Sequence, residues 1–163
     1  MPKFNEYVHI ETEPGNYIKI QVFNTPEPGS GSSLLVKDLT SFVPYIQIVE
    51  IRDIYVSKDS RLKGIGSTLL QIIKDKYENA IIVVAVRASG KEYEKEPNNA
   101  ELIKIIEEII PFYEKNGFEN VNDLFGSYQF RTSMLYTGNT WGDFVKTKIN
   151  EYRENKAAGW ECK

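Results

Sequence analysis

The stretch Arg61-Leu62-Lys63-Gly64-Ile65-Gly66-Ser67-Thr68 decides how this chain is read. Apolar Ile54-Tyr55-Val56 stands before it, and Leu69-Leu70-Gln71-Ile72-Ile73 follows with helical spacing. A strand therefore ends in a glycine-containing loop that opens a helix. The first amides of such a helix have no partner inside it, and the helix dipole adds positive potential at the same end. Together these make an anion site; the glycines admit close approach, and Arg61 and Lys63 add charge suited to phosphate. Two common phosphate loops do not fit. A Walker A loop needs four residues between its first Gly and a Gly-Lys-Ser/Thr, and no such run occurs. A dinucleotide fingerprint needs Gly or Ala where Leu69 stands.

At 163 residues the chain reads as one domain, large enough to bury roughly two-thirds of its unfolded surface. Twenty basic against 23 acidic residues give a net charge of −3, which argues against a dedicated nucleic-acid binder. No apolar stretch approaches the ~18 residues of a membrane span, and Met-Pro-Lys-Phe-Asn-Glu lacks a signal peptide's apolar core, so a cytoplasmic protein is expected. One cysteine, Cys162, excludes an internal disulfide framework. One histidine, His9, alternates with Val8 and Ile10 as a surface strand residue, and with one His and one Cys no zinc constellation can be assembled. Any catalysis must rely on carboxylates, tyrosines, backbone amides and a bound cofactor.

Along the chain, residues 4–12 and 16–24 read as strands around the turn Glu13-Pro14-Gly15-Asn16. Asn24 to Ser33 is a loop by composition, and Ser33–Leu39 and Tyr45–Val56 read as β-rich, the latter long enough to bend or carry a bulge. A helix over about 66–78 leads to Ala80–Val86, an apolar run suited to a strand buried on both faces. Asn98 or Asn99 caps a second helix with Leu102, Ile103, Ile105, Ile106, Ile109 and Ile110 on its buried side, which Pro111 interrupts or restarts. The turn Phe112–Asn116 ends at Gly117, suited to a left-handed position. Strands near Phe118–Val121 and Ser133–Tyr136 complete the sheet, and Thr140–Lys163 is loosely helical.

Arg61, Gly64 and Gly66 match the Arg/Gln-x-x-Gly-x-Gly/Ala signature of the GCN5-related N-acetyltransferase (GNAT) family. Phe112-Tyr113-Glu114-Lys115-Asn116-Gly117-Phe118 is similar to the family's Phe-Tyr-x-x-x-Gly-Phe element, in the right order. The resemblance covers residues 45–136. It implies a GNAT-type α+β fold: a mixed, mostly antiparallel central sheet, splayed between the fourth and fifth strands and flanked by helices. Residues 1–163 would form a single domain, with 137–163 a C-terminal extension. Acetyl-CoA is then the implied co-substrate, and no metal is needed. Its pyrophosphate would sit on the amides of Arg61, Leu62, Lys63, Gly64, Ile65, Gly66 and Ser67. The pantetheine arm would add to the main chain of Ile54, Tyr55 and Val56 like an extra strand.

Transfer to an amine needs two proton events: the ammonium must lose a proton, and the departing thiolate should gain one. Tyr113 matches the family's tyrosine at the CoA sulfur. Glu50, six residues before Val56, matches the base glutamate of the histone-acetyltransferase branch, although Arg52-Asp53 replaces apolar positions there. On a regular strand 50, 52, 54 and 56 share one face and Asp53 takes the other, which favours Glu50. Two further departures stand out. Ile106 occupies the place of an Asn that often touches the cofactor, and the family's usual helix pair near the acceptor is not legible in residues 10–45. An open groove suits a protein lysine. Small amines such as polyamines or antibiotics, an N-terminal amino group, or a non-catalytic CoA-binding module remain alternatives. Glu11, Glu13, Glu27, Glu50 and Asp53 would favour a cationic amine, and Tyr128, Phe130, Tyr136 and Trp141 could line the groove. No membrane or nucleic-acid partner is expected, and a homodimer is left open.

Overall fold

The computed structural model describes residues 5–13, 15–31, 33–57, 64–87, 98–122 and 131–157. Strands β1 (Asn5–Glu13) and β2 (Asn16–Phe23) form a hairpin; helix α1 (Leu34–Phe42) follows, and then β3 (Ile48–Tyr55). Helix α2 (Ile65–Lys76) leads to β4 (Ile81–Val86), and α3 (Asn99–Lys115) to β5 (Phe118–Asn120). Strand β6 (Thr132–Tyr136) and helix α4 (Thr140–Ala157) close the order. The strands make one sheet in the order β1-β2-β3-β4-β6-β5, antiparallel except where β3 meets β4. This is the mixed, mostly antiparallel α+β fold expected. The strands that part are the third and fourth in this chain's count, because only β1 and β2 precede β3 among the described residues.

Alternation along the strands feeds two cores. Ile18, Ile20, Val22, Val49, Ile51, Ile82, Val84 and Val86 pack under α2 and α3 with Leu69, Leu70, Ile73, Ile106 and Tyr113. Phe23, Ile48, Ile81, Val83 and Leu135 pack on the opposite face with Leu35, Val36 and Leu39 of α1 and Val145 and Ile149 of α4. Leu69, Leu70 and Ile73 are each at most 1 % exposed, and burying each contributes about 1.5–3 kcal/mol, so α2 is held by packing rather than by helix propensity.

Three local expectations need correction. Ser33–Leu39 is not β-rich but leads into α1: buried Leu35, Val36, Leu39 and Val43 recur at helical spacing, and the Ser33 hydroxyl accepts the Val36 amide at 3.2 Å as N-cap. Pro111 does not break α3, which runs through it. Both Pro111 and Glu107, whose carbonyl loses its helical donor, lie on the exposed side, so no buried carbonyl is left without a partner by the proline. Ile103, placed on the buried side, is 39 % exposed, and the buried stripe narrows to Ile106 and Tyr113 flanked by half-buried Ile109, Ile110 and Phe112. The caps are as expected: the Asn98 side chain accepts the Glu101 amide at 2.9 Å, and Gly117 is left-handed at φ +88°.

The anticipated irregularity in β3 is a bulge. Ile51 opposes Ile20 and Asp53 opposes Lys19, which leaves Arg52 as an extra residue. The extra residue reverses the alternation. Ile54 and Val56 therefore pack toward α2 and α3, while Asp53 lies on the same face as Glu50, contrary to the regular-strand expectation. Glu50 itself is 2 % exposed. Its Oε1 accepts from Arg52 at 2.9 Å and its Oε2 from the Ser33 hydroxyl at 2.6 Å. Removing Arg52 strands a buried carboxylate on one remaining donor, so Arg52→Ala should lower stability by about 2 kcal/mol. Urea unfolding measures it, and a change below about 0.5 kcal/mol would mean the pair is idle.

Candidate functional site

The ladder between β3 and β4 is short. It runs from Ile48 opposite Ile81 to Ile51 opposite Val84 and stops, while β3 continues to Tyr55 against β2. The sheet therefore opens beside residues 52–55, next to the start of α2. There Gly64 is the N-cap, left-handed at φ +74°, with no side chain of its own to cap the first turn. Among the described residues, a Cβ built on Gly64 would meet nothing within 4 Å. A helix start beside a parted sheet has the geometry of an anion site. Ile54, Tyr55, Val56, Gly64, Ile65, Gly66 and Ser67 are thus gathered at one edge. Arg61, Leu62 and Lys63 lie outside the described residues, as do Tyr128 and Phe130.

Gly66 has a use that its motif does not announce. A Cβ there would fall 3.1 Å from both Cε2 and Cζ of Phe112 and 3.7 Å from Cγ2 of Val56. The glycine lets the ring of the second motif settle on the first turn of α2. Asn116 fastens the same junction: its side-chain amide donates to the Ser67 hydroxyl at 3.2 Å and to the Phe112 carbonyl at 2.8 Å. The Lys74 ammonium donates to the Asn116 carbonyl at 2.6 Å. Sequence reasoning treated Asn116 only as the residue before a turn; its place at the end of an α-helix near another helix start was the missed signal. Asn16 was likewise read as a turn residue, yet it is buried and its Oδ1 accepts the Ser57 amide at 2.7 Å, fixing where β3 leaves the sheet.

Tyr113 sits in the α2–α3 core, 3 % exposed, edge-on to Phe112 at 5.2 Å and to Phe118 at 5.4 Å. Burial raises its hydroxyl well above the ordinary tyrosine range, and the negative charge of Asp53 adds to the shift. The shift favours the neutral O–H form of Tyr113. On the opposite face of the sheet, Asp53 Oδ2 accepts from the Tyr17 hydroxyl at 3.1 Å. The Tyr17 ring stacks with Tyr55 at 5.9 Å and with His9 at 5.1 Å. Glu50 lies deeper on that face, both oxygens engaged. Trp141 pairs edge-on with Phe144 at 5.8 Å on α4, and Tyr136 lies tilted against Phe118 at 5.5 Å. Among the described residues no cluster of His, Cys, Asp and Glu could hold a metal, and no helix is long and apolar enough to cross a membrane.

The sequence profile described as an acetyltransferase (GNAT) domain matches residues 29–120, from the loop before α1 to the end of β5 and more than half of the chain. The chain belongs to the GNAT acetyltransferase family. A search of curated proteins returns no match. Within this GNAT domain the profile spans the parted strands, the glycine loop and the Phe-Tyr motif, and it begins some way before the 45–136 resemblance.

Two outcomes follow from the junction and the buried phenol. Gly66→Ala should cost about 1 kcal/mol through its clash with Phe112, and Phe112→Leu added to it should cost less than the sum of the two single changes; strict additivity in urea unfolding would deny the contact. Because the folded pKa of Tyr113 lies above its unfolded value, its share of stability is complete below about pH 10 and is lost as pH rises further. Tyr77, raised by burial and by Glu6, acts in the same sense. Tyr113→Phe should therefore flatten the alkaline decline in urea midpoint between about pH 9 and pH 11, and an unchanged slope would deny the shift.

Proposed function

We propose that this GNAT domain moves an acetyl group from acetyl-CoA directly to a primary amine, with a protein lysine the favoured acceptor. The observation that carries this reading is the end of the β3–β4 ladder at Ile51 and Val84 beside the start of α2, whose N-cap is Gly64. Bound there, acetyl-CoA would supply an activated thioester. The amides of Gly64, Ile65, Gly66 and Ser67, with Arg61, Leu62 and Lys63 before them, would hold the diphosphate, and the β3 main chain over Ile54, Tyr55 and Val56 would guide the arm. Fixing a donor at both ends orients its reactive carbon and can be worth several kcal/mol of barrier. Tyr113 would donate its O–H to the leaving sulfur. Its raised pKa suits a donor that must never enter the site as phenolate. A lysine acceptor is favoured because a single helix, α1, stands between β2 and β3 among the described residues, which leaves the acceptor face broad.

Saturating acetyl-CoA at about 100 times its Kd should stabilise the native state by about 2.7 kcal/mol, raising Tm by roughly 5–10 °C. The absence of any shift would remove the donor from this reading. With a panel of lysine peptides and polyamines, free thiol should appear. Stabilisation without thiol release would instead identify a CoA-binding module that has lost transfer. Tyr113→Phe should lower kcat by about 100-fold while leaving the acetyl-CoA shift in Tm intact; parallel loss of both would assign Tyr113 to packing.

A further inference from the structure

The face of the sheet opposite α2 and α3 carries a corner that neither the glycine loop nor the Phe-Tyr motif uses. Three features converge there. The bulge at Arg52 turns Asp53 onto the Glu50 face, two residues past the last β3–β4 pair and so at the rim of the opening. Tyr17 and Tyr55, cross-strand partners, stack at 5.9 Å beside it, and the Tyr17 hydroxyl donates to Asp53 Oδ2 at 3.1 Å. The ammonium of Lys19, the cross-strand partner of Asp53, lies 5.1 Å from the Tyr17 ring centroid, so this ring face already carries an alkylammonium.

We infer that Asp53, walled by Tyr17 and Tyr55, is the subsite that binds the acceptor as an ammonium ion, and that Glu50 is a structural carboxylate. This inference rests on the transfer reading above and names the residues that choose its acceptor. The contrast between the two carboxylates is geometric. Glu50 is 2 % exposed with one oxygen on Arg52 and the other on Ser33, so an incoming ammonium would have to displace a buried ion pair. Asp53 is half-buried and accepts from the Tyr17 hydroxyl, and the nearby Lys19 ammonium, on an exposed side chain, is the charge an acceptor would displace. An ammonium on Asp53 would sit at the rim of the opening, on the face of the sheet opposite α2 and α3. Lys19 acts as an internal stand-in that the acceptor displaces.

Cadaverine serves as the cationic probe and 4-methoxyaniline, uncharged at neutral pH, as its control, with the full chain saturated with acetyl-CoA. Amide NMR shifts on adding cadaverine should centre on residues 17, 53 and 55. They should disappear in Asp53→Asn, persist in Asp53→Glu and strengthen in Lys19→Met. In turnover, Asp53→Asn should raise KM for cadaverine about tenfold and leave that for 4-methoxyaniline within about twofold. Cadaverine shifts centred elsewhere, or equal effects of Asp53→Asn on both amines, would overturn the inference. Should neither amine turn over, the shift pattern alone decides. Loss of acetyl-CoA stabilisation would remove the transfer reading, whereas stabilisation with cadaverine mapping away from Asp53 would remove only the subsite.

Discussion

Everything at the centre of this molecule depends on two parallel strands that begin paired and then separate. Four residue pairs join β3 to β4, and past Ile51 the strands no longer share a ladder. Backbone groups in a sheet interior are normally satisfied by a neighbouring strand. A sheet that parts in its middle therefore makes room for a ligand able to lie where a strand would. The parting is prepared from both sides: the bulge at Arg52 redirects β3, and Asn16 takes the Ser57 amide where the strand leaves.

The two sequence motifs turn out to be one structural unit. Gly66 is small because Phe112 rests on it, and Asn116 reaches back to Ser67. A loop at the start of α2 and a turn at the end of α3, 49 residues apart from Ser67 to Asn116, are thereby locked in register. This locking holds Tyr113, next to Phe112, in the core between α2 and α3. Gly64 and Gly66 thus serve different ends, the first through its left-handed backbone and the second through its missing side chain.

Much of this was legible in the sequence, and the exceptions have physical causes. The run Ala80–Val86 could only be a strand covered on both faces, and the hairpin, α2, the Asn98 cap and Gly117 followed from local chemistry. Helix α1 was misread because Leu35 and Val36 look strand-like in a short window, whereas the deciding signals, Ser33 as cap and burial recurring at Leu39 and Val43, span a longer one. The facing of Asp53 was not legible at all. A bulge is a property of two strands, and nothing in β3 alone states that Ile20 will oppose Ile51 while Lys19 opposes Asp53. The burial of Glu50 was hidden for the same reason, since its partner Ser33 belongs to a segment whose fold had been misjudged.

The Ser33 hydroxyl has two duties, receiving the first-turn amide of α1 and donating to a carboxylate in the middle of the sheet. The start of α1 is consequently secured by tertiary structure as much as by its own sequence. A nine-residue helix is too short to persist alone in water. Its first turn gains a fixed anchor only after β3 has found its place and Arg52 has paired with Glu50. The stability of α1 is therefore coupled to that of the sheet through a single hydroxyl.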